Sequence, residues 1–135
     1  TIAMGDQLDV HLKFRGLTDE YLESVALVDL LPGGFELVVP QTPAASVEED
    51  PQRYTGWHCQ ICVGNPRAIL QYADMREDRV VFYVNATRDA SEIVYRIKAT
   101  NVGSYVTPPA YGEAMYDRSV VARSATGKIE VTRKE

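Results

Sequence analysis

The sequence has little positive charge, no long apolar run and only two cysteines. Its 14 Lys and Arg residues are outnumbered by 19 Asp and Glu residues, which gives a net charge of −5. Dedicated nucleic-acid binders and binders of anionic membranes depend on basic patches, so this balance argues against both. The longest apolar run, at 25–31, is interrupted by Asp29 and is far below the ~18 residues of a membrane span. We therefore expect neither nucleic-acid binding nor direct membrane contact.

The signatures of common catalytic sites are also missing. The chain contains no G-x-S-x-G, H-E-x-x-H, P-loop or dinucleotide-binding motif. His11 alternates with apolar residues and has no second His or Cys at strand spacing, so a surface position is preferred over a metal ligand. The acidic run Glu48, Glu49 and Asp50 is typical of a solvated loop. We expect a chain that is not an enzyme and that holds no metal or other cofactor.

The only C-x-x-C motif is formed by Cys59 and Cys62. A thioredoxin-like site places its cysteine at a helix N-terminus after a strand, and this motif lies in a stretch without that pattern. A structural zinc site needs four ligands, and only His58 lies nearby. The preferred interpretation is a local disulfide or a pair of free thiols, with a redox site and a zinc site as the alternatives.

Alternation with a period of two is the main pattern in the chain. Apolar residues alternate with polar ones at 8–15, and similar runs recur to the C-terminus. Turn signals separate about eight short strands at a spacing of ~8–12 residues, which predicts an all-β, antiparallel β-sandwich. Helix is limited to short turns at 18–20 and 111–117. We expect one domain over residues 1–135, interrupted by a long loop insertion at about 41–66 that carries Trp57.

The alternation also predicts strand faces and hairpins. One face is formed by Val80, Phe82, Val84 and Ala86, and another by Ile93, Tyr95, Ile97 and Ala99. Hairpins are expected between the strands at 68–75 and 80–87, and between those at 119–123 and 128–132. Asn85, in Asn-Ala-Thr, matches a glycosylation acceptor. Because this triplet lies within a predicted strand, we interpret the match as chance.

The segment at 108–117 combines irregular backbone signals with exposed-type apolar residues. Pro108, Pro109 and Gly112 interrupt regular structure, and the segment carries Tyr111, Met115 and Tyr116. These side chains either cover the open end of the sandwich or project into a pocket of a partner, since tyrosine and methionine suit such contacts.

Several ordered blocks of the chain resemble the C-terminal domain of bacterial alpha-2-macroglobulins, the last and tenth macroglobulin-like domain. The resemblance covers nearly the whole chain apart from residues 41–66. The blocks are Leu17-Thr18-Asp19-Glu20-Tyr21, Val28-Asp29-Leu30-Leu31-Pro32-Gly33-Gly34-Phe35-Glu36, Arg76-Glu77-Asp78-Arg79-Val80, Tyr95-Arg96-Ile97-Lys98-Ala99-Thr100-Asn101-Val102-Gly103, and Pro108-Pro109-Ala110-Tyr111 through Met115-Tyr116-Asp117.

The resemblance implies a fragment of a large periplasmic protease inhibitor of Gram-negative bacteria, anchored to the inner membrane as a lipoprotein. Such proteins trap proteases that cleave a bait region, and many carry a thioester in a separate helical domain. In the family the last domain packs against the thioester domain, and a loop bearing Met and Tyr shields the thioester. That pair falls on Met115 and Tyr116, with Tyr111 and Asp117 beside it. The expected partners are the thioester domain and other parent domains, and target proteases through the parent.

The resemblance leaves a second binding hypothesis open. The loop at 41–66, with its acidic run and Trp57, is a candidate surface for another envelope protein. The chain begins with Thr and opens with neither a signal peptide nor a lipid-attachment cysteine, so we expect a piece of a longer protein.

Overall fold

The structure, a computed structural model, describes residues 1–18, 21–39, 61–63 and 70–134. These ranges contain strands and turns, and no helix occurs in them, which confirms the predicted all-β class. The strands are β1 (Ile2–Ala3), β2 (Gln7–Phe14), β3 (Leu22–Leu30), β4 (Phe35–Leu37), β5 (Ile61–Val63), β6 (Leu70–Met75), β7 (Arg79–Ala86), β8 (Ser91–Ala99), β9 (Gly103–Thr107), β10 (Tyr111–Ala114), β11 (Asp117–Arg123) and β12 (Gly127–Thr132).

Two sheets of unequal width form the sandwich. The wider sheet has the order β11-β10-β3-β7-β6. In the narrower sheet β8 pairs with β2 along one edge and with β4 and β5 along the other, so this sheet is three strands wide. A third sheet, β1-β12-β9, joins the narrower one where the Gly5 amide donates to the Ala99 carbonyl at 2.8 Å.

The core lies between the two larger sheets, as the alternation predicts. The wider sheet contributes the buried face of Val80, Phe82 and Val84. The narrower sheet contributes Ile93, Tyr95, Ile97 and Ala99, and the rings of Phe82 and Tyr95 meet with centroids 5.7 Å apart. Fully burying an aliphatic or aromatic side chain of this size contributes about 1.5–3 kcal/mol. The two matching faces therefore supply much of the driving force for the sandwich.

Three sequence-based expectations about local structure need correction. The segment 111–117 forms strand β10, a tight turn and the start of β11 instead of a helical turn. The strands β11 and β12 do not form a hairpin, because β11 pairs with β10 while β12 pairs with β9 and β1. Within the predicted loop at 41–66, the described residues 61–63 form strand β5 on β8. The expected hairpin of β6 and β7 is confirmed.

A buried carboxyl links the two sheets across the core. The Tyr95 hydroxyl donates to Asp29 Oδ2 at 2.6 Å, and both side chains are almost inaccessible. Burial raises the pKa of Asp29 because it disfavours the charged form, and the Tyr95 hydrogen bond opposes this rise. Burial and the Asp29 charge also raise the pKa of Tyr95, so the Tyr95 hydroxyl stays protonated and acts as the hydrogen-bond donor. The folded chain consequently binds a proton at Asp29 more tightly than the unfolded chain does.

We expect the stability contributed by Asp29 to be lost as the pH rises. A carboxyl whose pKa is raised in the folded state contributes fully below the unfolded pKa, ~3.9, and loses that contribution as the pH passes the folded pKa. The free energy of unfolding of the wild-type chain should therefore fall relative to that of Asp29→Asn between about pH 4 and about pH 7. Urea denaturation of both chains at the two pH values measures this difference.

Asp9→Asn provides the control of opposite sign. Hydrogen bonds from Arg96 Nε and Nη2, at 2.7 and 3.2 Å, lower the pKa of Asp9. Its stabilising contribution is lost as the pH falls, so the wild-type chain should lose stability relative to Asp9→Asn at the acidic end. The same pH trend for both variants would contradict the assignment of Asp29 as a group with a raised pKa.

Candidate functional site

Met115 and Tyr116 form a two-residue turn between β10 and β11, here called the Met–Tyr turn. Strand β10 is held on both sides, since Tyr111 to Ala114 pair with β3 and with β11. The sequence signals of Pro108, Pro109 and Gly112 indicated an irregular segment. The structure instead presents the turn at the end of a paired hairpin, whose register with β11 shifts between Glu113 and Ala114.

Both side chains of the Met–Tyr turn are exposed to solvent. Met115 is 49% exposed and Tyr116 is 88% exposed, the largest exposure among the large hydrophobic residues in the described ranges. Ala114, the residue directly before the turn, is buried. The turn therefore offers a thioether and an aromatic ring to a partner without opening the chain's own core.

A hydrogen-bonded network fixes the base of the turn. The Met115 amide donates to the Ser24 carbonyl at 2.9 Å. Ser24 has a φ of 56°, the only positive φ of a non-glycine residue in the described ranges, and its amide donates to Asn85 Oδ1 at 3.2 Å. The buried Asn85 completes the network by donating through Nδ2 to the Tyr21 hydroxyl at 2.7 Å. The left-handed Ser24 is a strained conformation that the surrounding bonds must hold in place.

The sequence pattern does not predict the supporting roles of Ser24, Asn85 and Tyr21. Alternation along β7 places Asn85 on the face opposite Val84 and Ala86. The structure buries Asn85 beside the irregular start of β3, where the register shifts between Leu22 and Val25. The polar residue within an apolar strand was the available signal. The side-chain nitrogen of Asn85 donates to the Tyr21 hydroxyl, and the residue is buried. Both facts agree with interpreting the glycosylation triplet as chance.

Asp117 and Tyr111 lie at opposite ends of the β10–β11 hairpin. Asp117 begins β11 directly after the turn, whereas Tyr111 begins β10 at the far end. Asp117 Oδ1 accepts from the Ser119 amide at 3.0 Å and from the Ser119 hydroxyl at 2.6 Å, and these bonds lower the pKa of Asp117. Asp117 thus holds the first residues of β11 next to the turn. Tyr111 is ~13 Å away from the turn at ~3.3 Å per residue.

The Tyr111 side chain makes its own local contacts. Its hydroxyl donates to Glu113 Oε2 at 2.9 Å, and this hydrogen bond is the main cause of the raised pKa of Tyr111. The Arg123 guanidinium carbon lies 5.4 Å from the centre of the Tyr111 ring, within the range of a cation–π contact. The structure therefore gathers Met115, Tyr116 and Asp117 at the tip and leaves Tyr111 at the other end of β10.

Only some of the other candidate sites from the sequence lie within the described residues. His11 is exposed and its Nδ1 is paired with Glu92, a surface arrangement. Cys62 lies in β5, while Cys59, Trp57 and the acidic run lie outside the described residues. In the part of the chain that the structure describes, no three His, Cys, Asp or Glu residues are grouped so that they could hold a metal ion. No helix long and apolar enough to cross a membrane is found in those ranges either.

Architecture and site together define an all-β sandwich domain with one exposed Met–Tyr hairpin turn. The chain belongs to the bacterial alpha-2-macroglobulin MG10 domain family, which it matches over residues 1–118. It is 42% identical over 128 residues to an alpha-2-macroglobulin homolog of Yersinia pestis, and 34% identical over 131 residues to the alpha-2-macroglobulin of Pasteurella multocida. These alignments cover 91% and 96% of the chain but only 6% of each relative's length.

Solved structures of bacterial alpha-2-macroglobulins share the fold. The Escherichia coli protein activated by porcine elastase superposes with a TM-score of 0.75 at 27% identity, covering 99% of this chain and 11% of that one. The Salmonella protein reacted with methylamine gives a TM-score of 0.73 at 25% identity, covering 98% of this chain and 8% of that one. The likeness to these structures thus extends over almost the entire chain.

Proposed function

We propose that this chain is the C-terminal, tenth macroglobulin-like domain of a bacterial protease inhibitor and that it acts by docking, without catalysis. The Met–Tyr turn binds the thioester domain of the parent protein, shields the thioester and helps to lock the native conformation. The parent lies in the periplasm, anchored to the inner membrane as a lipoprotein, and meets target proteases through its other parts. The observation that carries the proposal is the exposure of Met115 and Tyr116 on a hairpin turn whose base is hydrogen-bonded to Ser24.

The chemistry of a thioester explains why such a turn is useful. A thioester is lost to water and to amines, both of which need polar access to the carbonyl carbon. A thioether and an aromatic ring offer a large apolar surface and exclude both reagents when they are pressed against the bond. The relative described above as reacted with methylamine supports this assignment, because methylamine is a small amine nucleophile.

The support beneath the turn suits this role. A shield must return to one position each time the interface forms, and the bonds from Met115 to Ser24 and from Ser24 to Asn85 remove backbone freedom at its base. Asp117 keeps the first residues of β11 in place on the other side through its bonds to Ser119. Tyr111, further along β10, lies at the margin of the docking surface.

The contact must also be able to open. Two side chains and their surroundings bury a small area, so the interface contributes only a few kcal/mol. A conformational change of comparable size in the parent shifts the equilibrium towards the undocked state. The relative described as activated by porcine elastase supports a protein with two such states.

The double substitution Met115→Ala/Tyr116→Ala tests the shield. In the full-length, thioester-bearing parent we expect methylamine to consume the thioester at least about tenfold faster, since removing ~1.4 kcal/mol of protection raises a rate tenfold. In the isolated chain the free energy of unfolding should change by less than about 0.5 kcal/mol, because both side chains are exposed. Thiol release measured over time reports the first quantity, and urea denaturation the second.

A matched control removes exposed apolar surface elsewhere. Val102 and Val106 are 46% and 58% exposed. Val102 directly precedes β9 and Val106 lies within it, in a different sheet from the turn. Val102→Ala/Val106→Ala should leave the thioester lifetime unchanged. Equal thioester lifetimes for the Met–Tyr variant and the wild-type parent would overturn the shielding proposal.

A labelling experiment tests docking separately from shielding. We expect Tyr116→Cys to react rapidly with a maleimide in the isolated chain, where this position is open. In the native parent the same cysteine should react at least about tenfold more slowly, because a docked turn is removed from solvent. Cleavage of the parent by a protease should restore rapid reaction at position 116, which peptide mapping of the label distinguishes from reaction at Cys59, Cys62 or the thiol of the opened thioester. Equal reaction rates in all three states would refute docking at this turn.

A further inference from the structure

The wider sheet extends past the narrower one, and part of its inner face is left open. Register places Phe82, Leu27, Gly112 and Ala122 in one row across β7, β3, β10 and β11. The first two side chains are buried in the core, whereas Ala122 is exposed. The wider sheet has five strands and the narrower one is three strands wide, with successive strands ~4.8 Å apart. The strands β10 and β11 therefore extend beyond the edge strand of the narrower sheet. That edge strand is β2.

The open face forms a groove of about 520 Å³ between β2 and the β10–β11 hairpin. Its inner lining includes Leu12 and Phe14 of β2, Leu27 of β3, and Gly112 and Ala122. The hairpin residues on this inner face, Gly112 and Ala122, are small and leave space beside β2, while Tyr111 and Arg123 also line the groove. A Cβ at Gly112 would already lie 3.1 Å from Leu27 Cδ2, which shows how closely the hairpin backbone approaches the core at this row.

Strand β2 presents a free edge to this groove. It pairs with β8 along one side over Gln7 to Phe14, and no described strand pairs with its other side. In an antiparallel strand, alternate residues direct their N–H and C=O groups to opposite edges. About half of the backbone groups of β2 are therefore available to pair with an added strand, which is how extended peptides bind sheet edges.

The charges around the groove indicate which side chains an added strand would carry. Lys13, Arg15 and Arg123 line the groove, and no Asp or Glu side chain does so among the described residues. None of the three takes part in the ion pairs recorded for the described part of the chain. By contrast, the other charged positions of β2 are matched, since Asp9 pairs with Arg96 and His11 with Glu92. Arg123 lies over the Tyr111 ring, and Lys13 lies opposite Glu92 in the register of β2 and β8. Within the described residues none of the three cations has an ion pair, so the groove carries a local excess of positive charge in a chain of net charge −5.

We propose that this groove binds an extended, acidic peptide segment from outside the chain, which adds to the free edge of β2. Alternation dictates its pattern. Residues opposite Leu12 and Phe14 face inward and are apolar, filling the space beside Leu27 and above Ala122. Residues opposite Lys13 and Arg15 face outward and carry carboxylates, because opposite charges across a strand pair are favourable. The groove lies at the opposite end of β10 from the Met–Tyr turn, so this proposal does not depend on the shielding function.

A pair of probe peptides tests the site. The probe is a fluorescent peptide of about nine residues that alternates valine and glutamate, a typical strand length, and the control replaces every glutamate by lysine. We expect fluorescence anisotropy to show saturable binding of the glutamate probe that weakens with added salt. The lysine control should not bind. The charge-reversed variant Lys13→Glu/Arg15→Glu should exchange the two preferences and bind the lysine peptide more tightly.

Two tryptophan variants on neighbouring residues of β11 locate the binding face. Ala122→Trp fills the groove and should weaken the probe at least about tenfold, or ~1.4 kcal/mol. Val121→Trp lies on the other face of the same strand, where Val121 is 54% exposed, and should change the affinity by less than about twofold. Circular dichroism of each variant verifies that it is folded.

Three results would overturn the proposal. The first is absence of binding by the glutamate probe to the folded wild-type chain. The second is equal weakening by Ala122→Trp and Val121→Trp, which would place the contact elsewhere. The third is self-association of the chain, seen by sedimentation and abolished by Ala122→Trp, which would make a second copy the occupant.

Discussion

Gly34→Ala is expected to destabilise the chain by about 2–5 kcal/mol, from backbone strain and a direct clash together. Gly34 has a φ of +75°, a conformation that favours glycine. A Cβ built at this position would lie 2.4 Å from Cζ of the Tyr105 ring. The Gly34 carbonyl also accepts from the Thr100 amide at 2.8 Å, so the turn cannot move away freely. Urea or thermal denaturation measures the loss.

Gly5→Ala separates the two causes. Gly5 also has a positive φ, +94°, but a Cβ there would meet nothing within 4 Å. We expect only the backbone cost, about 1–2 kcal/mol. Tyr105→Ala should reduce the penalty of Gly34→Ala by relieving the clash, which a double-mutant cycle detects. If Gly5→Ala and Gly34→Ala proved equally destabilising, the clash with Tyr105 would be refuted.

Phe82→Ala is expected to cost about 3–5 kcal/mol of folding stability. Phe82 is fully buried, and its ring faces that of Tyr95 in the opposite sheet. Removing it leaves a cavity at the centre of the interface between the two sheets, where a close-packed core relaxes only partly. Because a small domain is stable by only about 5–15 kcal/mol, the variant should unfold at a much lower denaturant concentration.

Tyr72→Ala is the matched aromatic control for the core substitution. Tyr72 lies on β6 in the same sheet, is 63% exposed and stacks on Tyr83 with centroids 6.1 Å apart. Its removal should cost less than about 1 kcal/mol, because little buried surface is lost. Similar losses for Phe82→Ala and Tyr72→Ala would contradict the assignment of the inner and outer faces of this sheet.

The two proposals assign two different contacts to the hairpin of β10 and β11. Its tip carries the Met–Tyr turn, held through Ser24 and Asn85. Its base overhangs β2 and forms one wall of the groove. The tip and the groove present separate surfaces of one hairpin. The two sets of experiments above address these surfaces independently.

Some of this architecture was predictable because alternation is a local property. A residue's position within a strand determines which face it shares with its second neighbours. The faces containing Phe82 and Tyr95, and the short turn between β6 and β7, were therefore readable without a structure. Met115 and Tyr116 were singled out by the composition of segment 108–117 and by its family resemblance. Their exposure on a two-residue turn came from the structure.

The amino-acid sequence by itself determined that this protein is an all-β sandwich and which side chains of its regular strands face the core. Only the tertiary structure decided that β11 pairs with β10 and not with β12, that Asn85 is buried behind Ser24, and that the wider sheet overhangs β2. The physical reason is the separation along the chain of the residues that interact. Alternation acts between neighbouring residues, whereas strand pairing and sheet width depend on contacts between residues far apart in the chain, whose relative energies no local pattern contains.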